Sequence, residues 1–205
     1  MAHPRKSRWR RLDRTPIILS ALTLTAVLNT AGCFGGGDQP SSPQPSAEQS
    51  AAVESKAPAD VTVSTLTGRL TPAESKQART EVGGVVLKWF NDAYLVGDYP
   101  RAGAGQAFGT FTTGARQQAT RNAALLSNAR IGARIDSVTA TRRTVRLDLL
   151  AVKHQVVGAT ARVALVFTTT GGYAKTVSIK GSLFLTPGSR GGWRIFGYQL
   201  TRGDR

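Results

Sequence analysis

Two hydrophobic periods divide the chain. Ala78, Val82, Val85, Val86, Trp89 and Ala93 recur at the three-to-four-residue spacing of one helix face. Thr71-Pro72-Ala73-Glu74 stands before them, a capping box with proline at the first helical position. This spacing predicts one long helix over 71–97, stopped at Gly97, with Trp89 on the face that meets a sheet. Gly83-Gly84 interrupts it, and a glycine costs about 1 kcal/mol in an exposed helix, a cost that a close helix–sheet approach would explain. Asp98 reads as the cap of a short second helix running through Pro100 to Phe108. Ala115 to Leu126 reads as a third.

After Asn128 the period falls to two. Val145, Leu147 and Leu149 alternate, as do Val163, Leu165 and Phe167, and Val177, Ile179, Leu183 and Leu185 around Gly181. Trp193, Ile195 and Gly197 form the last run, with Phe196, Tyr198 and Leu200 expected on its other face. Turns are expected at Gly158-Ala159, Gly171-Gly172 and Pro187-Gly188, which makes the strands consecutive antiparallel hairpins. Helices first and strands second predict an α+β fold, with N-terminal helices packed on one face of a curved antiparallel sheet.

The N-terminal third has a different pattern. Six basic residues lie between Arg5 and Arg14, and Thr15 to Gly37 carries no charge. Pro16 to Leu28 is a 13-residue apolar stretch, the length of a signal-peptide core and short for a membrane span. Leu28-Asn29-Thr30-Ala31-Gly32-Cys33 follows. Ala31, Gly32 and Cys33 resemble the lipobox of bacterial lipoproteins, with Thr30 in place of the usual leucine. The resemblance implies cleavage between Gly32 and Cys33, a diacylglyceryl thioether on Cys33 and N-acylation. An ordinary signal peptide with an incidental cysteine and an uncleaved anchor are the alternatives. Arg10-Arg11 leaves twin-arginine export open beside the general route.

Residues 34–60 are rich in Gly, Pro, Ser, Gln and Ala and nearly devoid of large apolar groups. Such a segment cannot bury enough surface to offset its ordering entropy, so it reads as a disordered tether. A coil of that length spans about 25–30 Å. The organisation expected is therefore a signal peptide over 1–32, a lipid-anchored linker over 33–62 and an α+β domain over 63–205. That places the domain outside the cytoplasm, held by lipid at the outer face of the cell membrane.

Within this frame a second resemblance emerges. Val86-Leu87-Lys88-Trp89-Phe90-Asn91-Asp92-Ala93-Tyr94-Leu95-Val96-Gly97-Asp98-Tyr99 resembles the opening helix and Gly-Asp-Tyr turn of nuclear transport factor 2-like domains. Gly192-Trp193-Arg194-Ile195-Phe196-Gly197-Tyr198 resembles their last strand. The resemblance covers about residues 72–201. It implies a curved sheet wrapped around helices as a cone, often with a pocket, in a family that includes isomerases, dehydratases and non-catalytic extracytoplasmic domains. A fold of that kind does not settle function.

The chemistry available is narrow. Cys33 is the only cysteine and His154 the only histidine after residue 32, so an intramolecular disulfide and a Cys/His zinc site are excluded. No cofactor, phosphate loop or nucleophile elbow is indicated. Asp92, near Trp89, and His154, at a strand end, are the weak candidates for a general base; the bland reading makes them a solvated helix acid and a surface histidine. Asp148 shares a strand face with Arg146, which suggests a surface ion pair. Arg202-Gly203-Asp204 matches an integrin-binding tripeptide by chance composition.

Charge adds one more element. Residues 61–205 hold 20 Lys and Arg against 7 Asp and Glu, so the basicity belongs to the folded part. Arg130, Arg134, Arg142, Arg143 and Arg146 read as an anion-attracting patch. For an exported, tethered domain, anionic lipid, a wall polymer or an envelope protein is the expected partner, and nucleic acid is not. Two functions are therefore carried forward: a non-catalytic binding module of the cell envelope, and a small-molecule-binding or isomerase-like pocket protein. A cavity filled by Trp89, Phe90 and Phe167 favours the first, and an open one containing Asp92 favours the second.

Overall fold

The computed structural model describes residues 57–205. The expected signal segment 1–32, the expected lipidation position Cys33 and the expected linker up to residue 56 lie outside the described residues. The described part is α+β. Its elements are β1 (Ala59–Thr67), α1 (Pro72–Phe90) continued by a π-helical turn over Asn91–Leu95, α2 (Thr113–Arg121), α3 (Ala123–Leu126), a 3₁₀ turn over Gly132–Arg134, and then β2 (Val138–Val152), β3 (Gln155–Thr169), β4 (Thr176–Pro187) and β5 (Trp193–Asp204).

The five strands form one open sheet in the order β1-β2-β3-β4-β5. β2 to β5 are an antiparallel meander, as the alternation predicts. β1 lies parallel to β2 at the edge, so the sheet is mixed rather than wholly antiparallel. This strand begins at Ala59, inside the segment read as linker, because Val61 and Val63 pack against the core. Thr62, Ser64, Thr65 and Thr67 separate its apolar residues, so no apolar run marks it.

Helix α1 forms as its start signal predicts. Thr71 Oγ1 accepts from the Glu74 amide at 3.2 Å, and the Glu74 carboxylate accepts from the Thr71 amide at 2.7 Å. Ala78, Val82, Val86 and Trp89 are all buried. The glycine pair divides into two roles. A Cβ on Gly83 would sit 2.6 Å from Cγ1 of Val61, so this glycine lets α1 lie against β1, while Gly84 has open space.

The second helix expected from Asp98 to Phe108 does not form. Four glycines between 97 and 109 weaken it, and its backbone finds other partners: the Arg101 amide donates to Gly132 O, and the Arg101 guanidinium donates to the carbonyls of Ala93 and Val96. The third helix is broken at Asn122 into α2 and α3.

Alternation splits the sheet into two faces. Val145, Leu147, Leu149, Ala161, Leu165, Phe167, Val177, Ile179, Leu183, Leu185 and Ile195 face the helices and are buried in one core with α1. Among the described residues the core runs from Ala78 to Ile195, and these residues fall within one compact unit. The other face carries no helix among the described residues, and Arg142, Thr144, Arg146 and Arg162 line one part of it and Leu150, Phe184 and Phe196 another.

One turn and the alternation of the last strand differ from expectation. The β2–β3 turn is Lys153-His154, both with left-handed backbone (φ 49° and 64°), and Val152 pairs with Gln155 across it. Gly158, expected to turn, instead sits within β3 beside a bulge. In β5 a bulge at Phe196 reverses the alternation, so Tyr198 and Leu200 pack on the core and Phe196 alone points out. Gly181 supports the paired strand: at φ 135° its α-carbon lies so close to Gln199 O that a Cβ would be 2.0 Å away.

Candidate anion-binding face

The helix-covered side, where a pocket would sit, is packed with rings. Trp89, Phe90, Tyr94, Phe111 and Phe167 are all at most 1% exposed, with Trp89 within 5.3 Å of Phe90, 5.5 Å of Tyr94 and 6.4 Å of Phe111, and Tyr94 within 5.7 Å of Phe167. Several polar groups there tie the fold together, while Trp89 Nε1 and Asn128 Oδ1 are buried without a hydrogen-bond partner. Tyr94 Oη donates to Leu125 O at 2.7 Å, Tyr99 Oη donates to Tyr94 O at 2.7 Å, and buried Asn128 Nδ2 donates to Tyr94 O and Tyr99 Oη. Burial pushes the phenols of Tyr94 and Tyr99 above their usual range, because the ionised form would lose its water.

The two base candidates are far apart. Asp92 lies in the π turn and accepts from Lys88 Nζ at 2.9 Å. His154 is in the β2–β3 turn with a largely exposed ring, its Nδ1 3.9 Å from Glu74 Oε2. Glu74 is in the first turn of α1, so about 18 residues of helical rise, roughly 27 Å, separate the two candidates. The cleft beside His154 holds about 320 Å³ and is lined by Glu74, Glu81, Val156 and Trp193. Its Glu74 carboxylate is already bound to the Thr71 backbone and hydroxyl, which holds it below the usual carboxylate range. Among the described residues, no group of three His, Cys, Asp or Glu is placed to hold a metal.

The arginine cluster divides into four places. In β2, Val145, Leu147 and Leu149 point inward, so Arg142 and Arg146 point to the bare face. Arg143 has the opposite parity: it turns toward the helices, where Nη2 donates to Asn91 Oδ1 at 3.1 Å and burial lowers its pKa. Arg134 lies with its guanidinium 5.1 Å over the Tyr173 ring, and Arg130 is exposed before the 3₁₀ turn. The five do not form one patch.

A different arginine completes the bare-face group. Arg162 on β3 stands directly opposite Arg146. Like charges directly opposite one another on neighbouring strands are destabilising. Arg162 is met by Asp148 at 2.7 Å, the acid expected to pair with Arg146. Among the described residues, Arg142 and Arg146 have no salt-bridge partner. Arg142, Thr144, Arg146, Arg162 and Asp60 line an open hollow of about 550 Å³. The parity of Arg162 against Val163 and Leu165 marks it as outward-facing, but its place opposite Arg146 needs the strand register, which a turn misplaced at Gly158 hides.

The Arg202-Gly203-Asp204 tripeptide is tied into the fold. Arg202 Nη1 donates to the carbonyls of Ala124 and Ser127, and its Nε donates to Asp204. Another basic cleft, of about 390 Å³, contains Arg116, Arg190 and Arg194 at the start of α2. There Arg116 is bonded to Phe108 O and Arg194 to Gly109 O, so both brace the preceding loop. No helix among the described residues is long and apolar enough to cross a membrane. Compared with known proteins, the chain matches no family model, no curated protein and no solved structure.

Proposed function

We propose that this chain is an exported lipoprotein, cleaved before Cys33 and anchored there by lipid. Its α+β domain is of the nuclear transport factor 2-like kind, and it works as a non-catalytic module that binds an anionic component of the cell envelope. The observation that carries this reading is the pairing of Arg146 opposite Arg162, with Arg142 beside them, on a face that no helix covers. Asp148 engages Arg162, which leaves Arg142 and Arg146 as the cations of this face that an external anion would engage. The filled side of the sheet gives the second support: Trp89, Phe90 and Phe167 occupy the layer in which a pocket would sit. Asp92 is held by Lys88 and gives the pocket reading no support.

The electrostatics favour capture of a polyanion. Residues 61–205 carry a net charge of +13 from 20 basic and 7 acidic side chains, which raises the local concentration of anions near the surface. Such attraction weakens with salt, because the Debye length shrinks from about 10 Å at 0.1 M to about 3 Å at 1 M. Binding of residues 34–205 to immobilised polyphosphate, read as the salt concentration that releases it, tests this. Arg142→Glu with Arg146→Glu should elute at much lower salt than Arg79→Glu with Arg121→Glu, two exposed helix arginines of equal charge change. Equal shifts from both pairs would reduce the binding to net charge and remove the face from the argument. Arg202 is unsuited as a control, since its side chain braces α3.

A further inference from the structure

The bare face is basic at one end and apolar at the other. Beyond Arg146 and Arg162, toward the Lys153-His154 turn, stand Leu150, Val157, Phe184 and Phe196. Leu150 is 47% and Phe196 53% exposed, and the Phe184 and Phe196 rings lie 6.3 Å apart. Phe196 faces out because the β5 bulge places it there, while Ile195 before it is buried. Leu150, Thr160, Phe184 and Phe196 line a shallow hollow of about 310 Å³ that also includes Asp148. Asp148 binds Arg162, and Arg162 lines the basic hollow, so the two areas adjoin.

Three occupants are conceivable for such a face. A second copy of the chain would set Arg142, Arg146, Arg162 and Lys180 against themselves, which the like charge opposes. A soluble anionic polymer would match the arginines and leave Leu150 and Phe196 in water. A bilayer with anionic headgroups matches both, since phosphates meet the guanidinium groups and apolar side chains enter the headgroup boundary. The entry point of the chain argues the same way. Ala59 pairs with Arg143 and Asp60 lines the basic hollow, so the segment leading back to Cys33 leaves the domain beside that hollow. Cys33 stands 26 positions before Ala59, so lipid carried there would keep this face within reach of the anchoring membrane.

We infer that the bare face of the sheet docks on an anionic phospholipid bilayer, with Arg142, Arg146 and Arg162 at headgroup phosphates and Leu150, Phe184 and Phe196 entering the interface. This rests on the anionic-surface reading above. It adds that the ligand is lipid and that apolar insertion, not charge alone, holds the domain.

The test uses residues 34–205, with a cooperative thermal transition required of every variant. Vesicles of phosphatidylglycerol and phosphatidylcholine, and soluble polyphosphate, are titrated in parallel. Leu150→Ser with Phe196→Ser should weaken vesicle binding about tenfold or more and leave polyphosphate binding unchanged. Arg142→Glu with Arg146→Glu should weaken both. In Phe196→Trp the added indole should shift to shorter emission wavelength on vesicles and be quenched by bromine-labelled lipid chains. Vesicle binding that survives Leu150→Ser with Phe196→Ser, or an indole that bromolipid leaves unquenched, overturns the insertion and keeps the anionic-surface reading. Binding to polyphosphate without binding to vesicles makes a soluble polymer the ligand and overturns it too, as does a concentration-dependent dimer blocked by Phe196→Ser. Loss of binding to both ligands in the wild-type chain sinks the underlying reading as well.

Discussion

The same strands build two faces of opposite character. Odd positions of β2 and β3, such as Val145, Leu147, Val163 and Leu165, are buried under α1, while the even positions Arg142, Arg146 and Arg162 look into solvent. The helix side closes on itself with aromatic rings. The other side keeps Arg142 and Arg146 without a salt-bridge partner among the described residues and leaves Phe196 and Leu150 exposed. The contrast teaches where a working surface is expected: one face is spent on stability, and the other departs from what stability alone would choose.

The sharpest way to break this contrast is at Trp89. Trp89→Ala empties the centre of the ring cluster and should cost about 3–5 kcal/mol, the range for large aromatic truncations in cores. Chemical denaturation reads it, and an unchanged midpoint would mean the helix side is not sealed. Next is the glycine pair. Gly83→Ala drives a methyl into Val61 and should cost about 1–3 kcal/mol, as overpacking does, while Gly84→Ala, in open space, should gain about 0.5–1 kcal/mol. Opposite signs from adjacent residues would locate the β1 contact; equal signs would deny it.

Tyr94 probes the same side by pH. Its folded pKa is raised above the unfolded value of about 10. Above that value the unfolded chain releases a proton that the folded chain retains. The stabilisation present below about pH 10 is therefore lost as pH rises further. Thermal stability should fall steeply in alkali, and Tyr94→Phe should flatten the fall while costing about 1 kcal/mol at neutral pH through the hydrogen bond to Leu125 O. A slope unchanged in Tyr94→Phe would place the burial penalty elsewhere. Smallest of all should be the stability effect of Arg142→Glu or Arg146→Glu, within about 0.5 kcal/mol for surface positions. A large loss from either would make these arginines part of the scaffold.

Much of the helix side was legible in the sequence. The capping box at Thr71, the stripe ending in Trp89 and the period-two runs each name a physical cause, and each element formed. What failed to read was set by register and long-range partners. β1 has no apolar run, since Thr and Ser alternate with its valines, and is a strand because β2 accepts it. The β2–β3 turn falls on Lys153-His154, two residues with no glycine to announce it. The bulge at Phe196 moved Tyr198 and Leu200 to the core. The candidate site suffered most from this, since a run of five arginines close in sequence was sorted by parity and loop position into separate places, and Arg162 joined only through pairing.

The two faces can be set against each other directly with single reporter thiols. With Cys33→Ser as background, Thr144→Cys, Ser182→Cys and Gln199→Cys place a thiol on the bare face, and Lys76→Cys and Gln117→Cys place one on the helix side. Labelling rates are measured on residues 33–205 with and without phosphatidylglycerol vesicles. Slowed labelling at the three bare-face positions, with both helix-side positions unchanged, is the expected result. Slowing on the helix side, or equal slowing everywhere, would contradict the assignment of the bare face as the surface that binds.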